Sequence, residues 1–286
     1  MTQPAGPPPE QPPAQPPAGY ARELARAIEL ARTAGAEVAA MQRGELGVEM
    51  KPGDEPVTVA DRRASELIVA GLAASFPADP IISEELAPAP GALGAPRFWL
   101  VDPIDGTKDF IRGEDGYSVM IGLVVAGRPA LGVVYQPAID RLFYGTPDGA
   151  FVTYQGQTHR LAVSSVTAAN DARLVASKSH RSSDIDRVKH ELGIADEINL
   201  GSVGVKLCVI AAGARDLYVS PATKTKAWDT CAPEAILVPA GGRLSDLFGT
   251  PIDYTELPHH RGLLASNGAV HDEVVAKLTP LFAHLA

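Results

Sequence analysis

Two aspartates three residues apart, closing an apolar run, are the groups in this chain best placed to do chemistry. They stand in Trp99-Leu100-Val101-Asp102-Pro103-Ile104-Asp105-Gly106-Thr107. Pro103 fixes its φ at about −65° and lacks an N–H, while Gly106 tolerates dihedrals that a Cβ would forbid. Such a turn can aim both carboxylates and the Thr107 hydroxyl toward one point beyond the strand end. Like charges held that close repel by about 4 kcal/mol at about 4 Å with an effective dielectric of about 20. A divalent cation is the simplest group to offset that repulsion. An ordinary turn is the competing reading, since Asp-Pro and Asp-Gly are common turn dipeptides.

Other carboxylates stand at the edges of elements. Asp61 closes Val57-Thr58-Val59-Ala60-Asp61, Glu84 and Glu85 end a short apolar strand, and Asp229 follows Trp228 at a helix start. Each has a local alternative: a capping box for Thr58-x-x-Asp61, a first-turn carboxylate for Asp229, solvated loop charges for Glu84-Glu85. Taken with the Asp102–Thr107 turn, they form an oxygen-only set suited to magnesium, with manganese as a substitute. No Cys/His spacing points to zinc.

The elements that must position these groups follow from periodicity. Tyr20, Leu24, Ala27, Ala31, Ala34, Val38 and Met41 recur at helical spacing, and a second helix leads on from Asp61. Pro80–Ser83 and the Trp99 run read as strands. Beyond them 117–125, 130–135, 141–144 and 150–154 alternate with period two, an antiparallel meander. From 161 onward strands alternate with helices: 173–177, 184–192, 198–200, 203–212, 216–219, 229–238, 263–266 and 270–285. That texture implies a second layered unit. The expected organisation is a Pro-rich, disordered tail over 1–19, an α+β metal-binding domain over 20–160 and an α/β substrate-specificity domain over 161–286.

The chain has 286 residues and a net charge of −9, which argues against a nucleic-acid polymer as partner, because phosphate neutralisation needs a basic face. No apolar run reaches the length of a membrane span, and no basic-then-apolar leader opens the chain. Cys208 and Cys231 form no disulfide pattern, so reduced thiols in a cytoplasm are the expectation. A monomer or homodimer acting on a small molecule fits these features.

Val57-Thr58-x-x-Asp61, Ser83-Glu84-Glu85, the Asp102–Thr107 turn, Trp228-Asp229-x-x-Ala232 and Gly241-Gly242 occur in an order that resembles the inositol monophosphatase superfamily over about 20–286. The resemblance implies a layered α-β-α-β-α sandwich and lithium-sensitive, magnesium-dependent hydrolysis of small phosphate monoesters. It implies that Glu84, Asp102 and the Ile104 carbonyl hold one metal and that Asp102, Asp105 and Asp229 hold a second, with Glu84 reaching toward a third. Thr107, paired with Asp61, would orient and deprotonate the attacking water, with Glu85 beside them in the catalytic set. Amide groups near Gly106-Thr107 would add anion stabilisation.

Ser177-Lys178-Ser179-His180 and Lys108-Asp109-Phe110 are similar to elements of the CysQ-type 3′(2′),5′-bisphosphate nucleotidase branch. That branch implies removal of the 3′-phosphate of adenosine 3′,5′-bisphosphate, or of its sulfated form, to leave AMP or its analogue. A bisphosphate needs a second anion site, for which Lys178, His180, Arg181, Lys206, Lys224 and Lys226 are candidates, with Gly106, Thr107, Ser202 and Asp229 also against the substrate. Gly201-Ser202-Val203-Gly204-Val205-Lys206 departs from the branch's Gly-Ser-Ser-x-Lys and is equally similar to inositol phosphatases. Inositol 1-phosphate and fructose 1,6-bisphosphate are therefore the alternative substrates, and a non-catalytic metal or phosphate sensor is the alternative of another class. The Asp-x-x-Asp spacing differs from the Asp-x-Asp of aspartyl-phosphate enzymes, and no P-loop occurs.

Overall fold

The computed structural model describes residues 19–53, 55–87, 91–179 and 181–286. The tail expected over 1–19 thus lies, apart from Gly19, outside the described residues, as does His180. In chain order the elements are α1 (Ala21–Met41), β1 (Glu49–Lys51), β2 (Glu55–Val57), α2 (Val59–Ser75), β3 (Ile81–Ser83), β4 (Arg97–Asp105) and α3 (Thr107–Ile111). Then come β5 (Ser118–Val125), β6 (Arg128–Gln136), β7 (Arg141–Thr146), β8 (Gly149–Tyr154) and β9 (Gln157–Arg160). The remainder holds β10 (Leu174–Ser177), α4 (Asp184–Leu192), β11 (Glu197–Leu200), α5 (Val203–Ala211) and β12 (Leu217–Ser220). It ends with α6 (Ala227–Leu237), β13 (Arg243–Ser245), β14 (Leu263–Ser266) and α7 (His271–Leu281).

The seven strands β3 to β9 pair in sequence order, antiparallel except for β3 beside β4. A second sheet has the order β11-β10-β12-β14-β13, in which β14 runs against both its neighbours. Strand alternation sorts the side chains of β4: Trp99 and Val101 join the core under α1 and α2, while Phe98 and Leu100 join the opposite core. That opposite core also takes Leu207 and Cys208 of α5, Cys231 and Ile236 of α6, and Val175 and Tyr218 from the second sheet. Leu174, Leu217 and Leu264 point the other way, against Val188 of α4 and Val274 of α7. The layers therefore run α-β-α-β-α, the α+β sandwich expected. Because both faces of each sheet are covered, β4 reads as a continuous apolar run.

The middle helix α6 lies unusually close to the first sheet. Gly122, Gly132 and Gly145 are register partners on β5, β6 and β7, so they form a trough across three strands. A Cβ on Gly132 would stand 1.9 Å from the Ala232 carbonyl oxygen, and one on Gly145 2.4 Å from that of Ala235. The N-terminal turn of α6 carries Asp229.

Five elements escape periodicity: β1 and β2, which pair as a hairpin, β9, β13 and the five-residue α3. The helix expected over 270–285 ends at Leu281, followed by a 3-10 turn over Ala283–Leu285. Pro280 contributes no amide to that last turn.

Candidate active site

A cavity of about 240 Å³ opens where β4, α3 and α6 meet, and Glu84, Asp102, Ile104, Asp105, Thr107 and Asp229 line it. Asp102 is the last regular residue of β4 before a bulge that displaces the register as far as Asp105. Its Oδ1 accepts from the Ile104 amide at 3.1 Å. Gly106 has φ +94°, and a Cβ there would stand 3.0 Å from the Gly116 carbonyl oxygen, so the turn requires glycine.

Each carboxylate is oriented by a donor of its own. Asp105 Oδ2 accepts from the Ser202 hydroxyl at 2.5 Å and the Gly204 amide at 2.8 Å. Asp229 Oδ2 accepts from the Lys226 amide at 2.7 Å. Glu84 meets the Lys51 ammonium at 2.9 Å, and the same ammonium lies 2.5 Å from Glu85. Asp61 takes two roles. Its Oδ2 closes the capping box of α2, accepting from the Thr58 amide at 2.8 Å and hydroxyl at 2.6 Å. Its Oδ1 faces the Thr107 hydroxyl at 3.2 Å, which also lies 3.0 Å from the Ile104 carbonyl oxygen.

Among the described residues no three such groups stand at ligating distance around a single point. Asp105, Asp229 and Glu84 nevertheless line one cavity, each held by a partner on a different segment, Ser202, Lys226 and Lys51. The donors suit a hard divalent ion, being all oxygen and mutually repelling, with Asp102 and Asp105 buried and Glu84 and Asp229 half-buried. Burial, reinforced by Glu84 and Asp105, drives the Asp102 carboxyl well above the usual range. Burial and Asp105 do the same to Asp229. Burial pushes Glu84 up to about 7 against the pull of Lys51. Asp61 is raised by burial despite its hydrogen bonds. For Asp105 burial also dominates, opposed by Lys206.

The expected substrate residues divide. Gly106, Lys206, Lys224 and Lys226 line the cavity. Lys206 is fully buried, 2.7 Å from the Gly201 carbonyl oxygen and 5.3 Å from the centre of the Tyr218 ring. Burial lowers its pKa to about 8 against the pull of Asp105. Lys178 does not line the cavity: it pairs with Glu114 at 2.6 Å, while Ser177 and Ser179 face inward. The chain bends at 178–179, just past the end of β10, and the Lys178 side chain leaves the cavity for Glu114. Ser202 is wholly buried, held between Asp105 and the Ser118 hydroxyl, and caps α5 by accepting from the Val205 amide at 3.0 Å. It therefore orients a carboxylate instead of touching substrate. Glu85 lies beside the cavity, on Lys51, and does not line it.

Lys51, Asp109, Tyr218 and Trp228 were not singled out as site residues from sequence. Lys51 sits 33 residues from Glu84, and no local pattern announces that pairing. Asp109, Tyr218 and Trp228 line the cavity, and Asp109 and Trp228 fall inside the motifs quoted above.

Known proteins are similar to this chain in sequence and in architecture. The chain is 36% identical over 238 residues to the 3′(2′),5′-bisphosphate nucleotidase CysQ of Salmonella typhimurium, covering 81% of this chain and 94% of that one. It is 34% identical over 239 residues to a histidinol-phosphatase of Mycobacterium tuberculosis, covering 82% and 88%. The solved structure of the Thermotoga maritima IMPase superposes with a TM-score of 0.78 at 27% identity, covering 93% of this chain and 100% of that one. Residues 21–281 match the model of the inositol monophosphatase family, a span that holds the cavity, its carboxylates and both sheets. With fold, motif order and sequence in agreement over nearly its whole described length, the chain belongs to that family of metal-dependent phosphatases.

Proposed function

We propose that this chain removes the 3′-phosphate of adenosine 3′,5′-bisphosphate, leaving AMP and inorganic phosphate. The observation that carries the reading is a shared wall: Lys206, Lys224 and Lys226 line the same cavity as Glu84, Asp102, Asp105 and Asp229. The acidic side suits a metal-bridged phosphoryl group, and the basic side suits a second phosphate of the same substrate. Similarity to CysQ nucleotidases supports the choice. On this reading residues 20–160 supply the metal-binding part and 161–286 set substrate choice.

Glu84, Asp102, the Ile104 carbonyl, Asp105 and Asp229 would hold two or three Mg²⁺ ions. When bound, Mg²⁺ neutralises the phosphoryl oxygens and lowers the pKa of water. The chain's own part in the proton transfer falls to Thr107 and Asp61. Water attacks phosphorus in line as its proton passes to Thr107 Oγ1, whose own proton passes to Asp61 Oδ1, 3.2 Å away. The bond from phosphorus to the ribose 3′-oxygen breaks in the same displacement, and that oxygen takes a proton from solvent water to leave as the hydroxyl of AMP. Ser202 and the Gly204 amide keep Asp105 turned toward the cavity floor throughout.

The similarity to histidinol-phosphatase gives a second reading, hydrolysis of L-histidinol phosphate on the same carboxylates. Phosphate release with Mg²⁺ from adenosine 3′,5′-bisphosphate, L-histidinol phosphate, inositol 1-phosphate and fructose 1,6-bisphosphate decides between them. The bisphosphate nucleotide should give the highest kcat/KM. Lys206→Ala should raise its KM more than that of adenosine 3′-monophosphate. A higher kcat/KM on histidinol or inositol phosphate would replace this assignment, and no turnover of any ester would favour a sensor.

A further inference from the structure

We propose that His259 is a positioning residue for the Asp229 carboxylate, acting through Thr230; the inference rests on Asp229 being a metal ligand. Asp229 is aimed by a bond to the Lys226 amide, so its place depends on the backbone of 225–230. That backbone is held by a strap over 254–259. The Ala227 amide donates to the Leu257 carbonyl at 2.7 Å, the His259 amide to the Thr225 carbonyl at 2.8 Å, and Lys226 bridges Pro258 antiparallel.

One side chain carries the strap into the helix itself. His259 Nε2 lies 2.9 Å from the Thr230 hydroxyl, and Thr230, next to Asp229, is wholly buried. The Thr230 hydroxyl also reaches the Ala227 carbonyl at 3.3 Å. With that proton on Ala227, His259 donates from Nε2, which is the neutral tautomer protonated there. A turn further along, the Tyr254 hydroxyl donates to Glu234 at 2.6 Å, and the Tyr254 ring meets His259 edge-on at 6.3 Å. Thr230 and Glu234 are four residues apart and share one face of α6. The strap thus grips α6 at two points one turn apart, while the glycine trough bounds its other side. Both grips reach Thr230, the residue beside the ligand, Tyr254 through its hydroxyl and His259 through Nε2 at 2.9 Å.

Groups that orient a metal ligand change affinity by about ten- to a hundredfold when removed. Equilibrium Mn²⁺ binding by the full chain, followed calorimetrically beside thermal melting, tests the role without relying on turnover. His259→Ala should weaken Mn²⁺ binding about tenfold. His259→Gln, whose amide nitrogen can occupy the place of Nε2, should recover most of that loss. Thr230→Val should weaken binding similarly, and the double variant should lose little more than either single one. If His259→Ala lowers Tm with Mn²⁺ affinity unchanged, or if the two losses add in full, the positioning role is overturned. Should His259→Ala melt below the assay temperature, Thr230→Val against His259→Gln decides the matter by the same criteria. A wild type that takes up no Mn²⁺ would overturn the metal reading itself, an outcome distinct from unimpaired variants of a protein that binds.

Discussion

The Ser202 hydroxyl reaches Asp105 Oδ2 at 2.5 Å, so the cap of a helix in the second half of the chain orients a carboxylate in the first. The Ser202 oxygen itself accepts from the Val205 amide, and the Ser118 hydroxyl at 2.9 Å completes its shell. Ser202→Ala should therefore act on two quantities at once. Loss of the cap should cost about 1 kcal/mol of stability. Loss of the Asp105 partner should raise the Mg²⁺ concentration for half-maximal rate about tenfold. An Mg²⁺ dependence unchanged beside a raised substrate KM would return Ser202 to the substrate-contact role expected from sequence.

Thr107 and Asp61 separate chemistry from folding. Thr107 is half-buried with its hydroxyl on Asp61 and the Ile104 carbonyl. Thr107→Val should lower kcat by about 10² or more with little change in Tm, and Thr107→Ser should restore much of it. Asp61→Ala should lose both rate and about 1 kcal/mol of stability, because its second oxygen caps α2. A Thr107→Val variant within a few-fold of wild type would remove the hydroxyl from the proton path.

Asp61 also shows what the sequence could reveal. The capping box and the site role are rival explanations of one residue, and the two oxygens satisfy both geometries. Strand β4 is legible because a run buried on both faces needs no alternation, and α1 because Leu24, Ala27, Ala31 and Val38 recur on one face. Strands β1, β2, β9 and β13, such as Glu49-Met50-Lys51 and Gln157-Thr158-His159-Arg160, lack the apolar run that marks the equally short β3 and β14. Lys178 is misplaced for a different reason: charge marks a residue as able to bind phosphate, but the side to which it projects is fixed by the bend that follows β10. Lys51 could not be found at all, since its pairing with Glu84 and Glu85 is made only when the hairpin folds over β3.

Metal addition should couple to pH with a definite sign. Burial and like charge raise Asp102 and Asp229, and Glu84 rises to about 7. A carboxyl whose folded pKa lies above its unfolded value of about 4 keeps its proton when the unfolded chain has lost it. Stability is therefore present at low pH and lost as pH climbs from about 4 through the folded pKa, about 7 for Glu84. Metal binds the ionised form and releases those protons. The rise in Tm on adding Mg²⁺ to chelator-treated protein should be larger at about pH 8 than at about pH 5.5. His259 and His271, each lowered by burial to about 4, tilt the curve the other way with or without Mg²⁺ and cancel in this difference. An Mg²⁺-induced rise that is equal at both pH values, or larger in acid, would contradict a carboxylate metal site.

The glycine trough makes the last prediction, because it separates packing from ligand placement. A methyl group on Gly132 meets the backbone oxygen of Ala232 at 1.9 Å, and one on Gly145 meets that of Ala235 at 2.4 Å. Neither neighbour is a flexible tip, so α6 must lift from the sheet in both cases. Gly132→Ala and Gly145→Ala should each destabilise by about 1–3 kcal/mol, the usual penalty for overpacking. Their effects on the site should differ. Ala232 is three residues from Asp229 and Ala235 six, so lifting the helix at Gly132 displaces the ligand-bearing turn more directly. Gly132→Ala should weaken Mn²⁺ binding several-fold more than Gly145→Ala at matched loss of Tm. Gly156, with nothing within 4 Å of its would-be Cβ but φ +75°, serves as a control in which backbone strain acts without crowding α6. Equal Mn²⁺ affinities in the Gly132 and Gly145 variants would mean that α6 shifts as a rigid rod and that the trough sets stability alone.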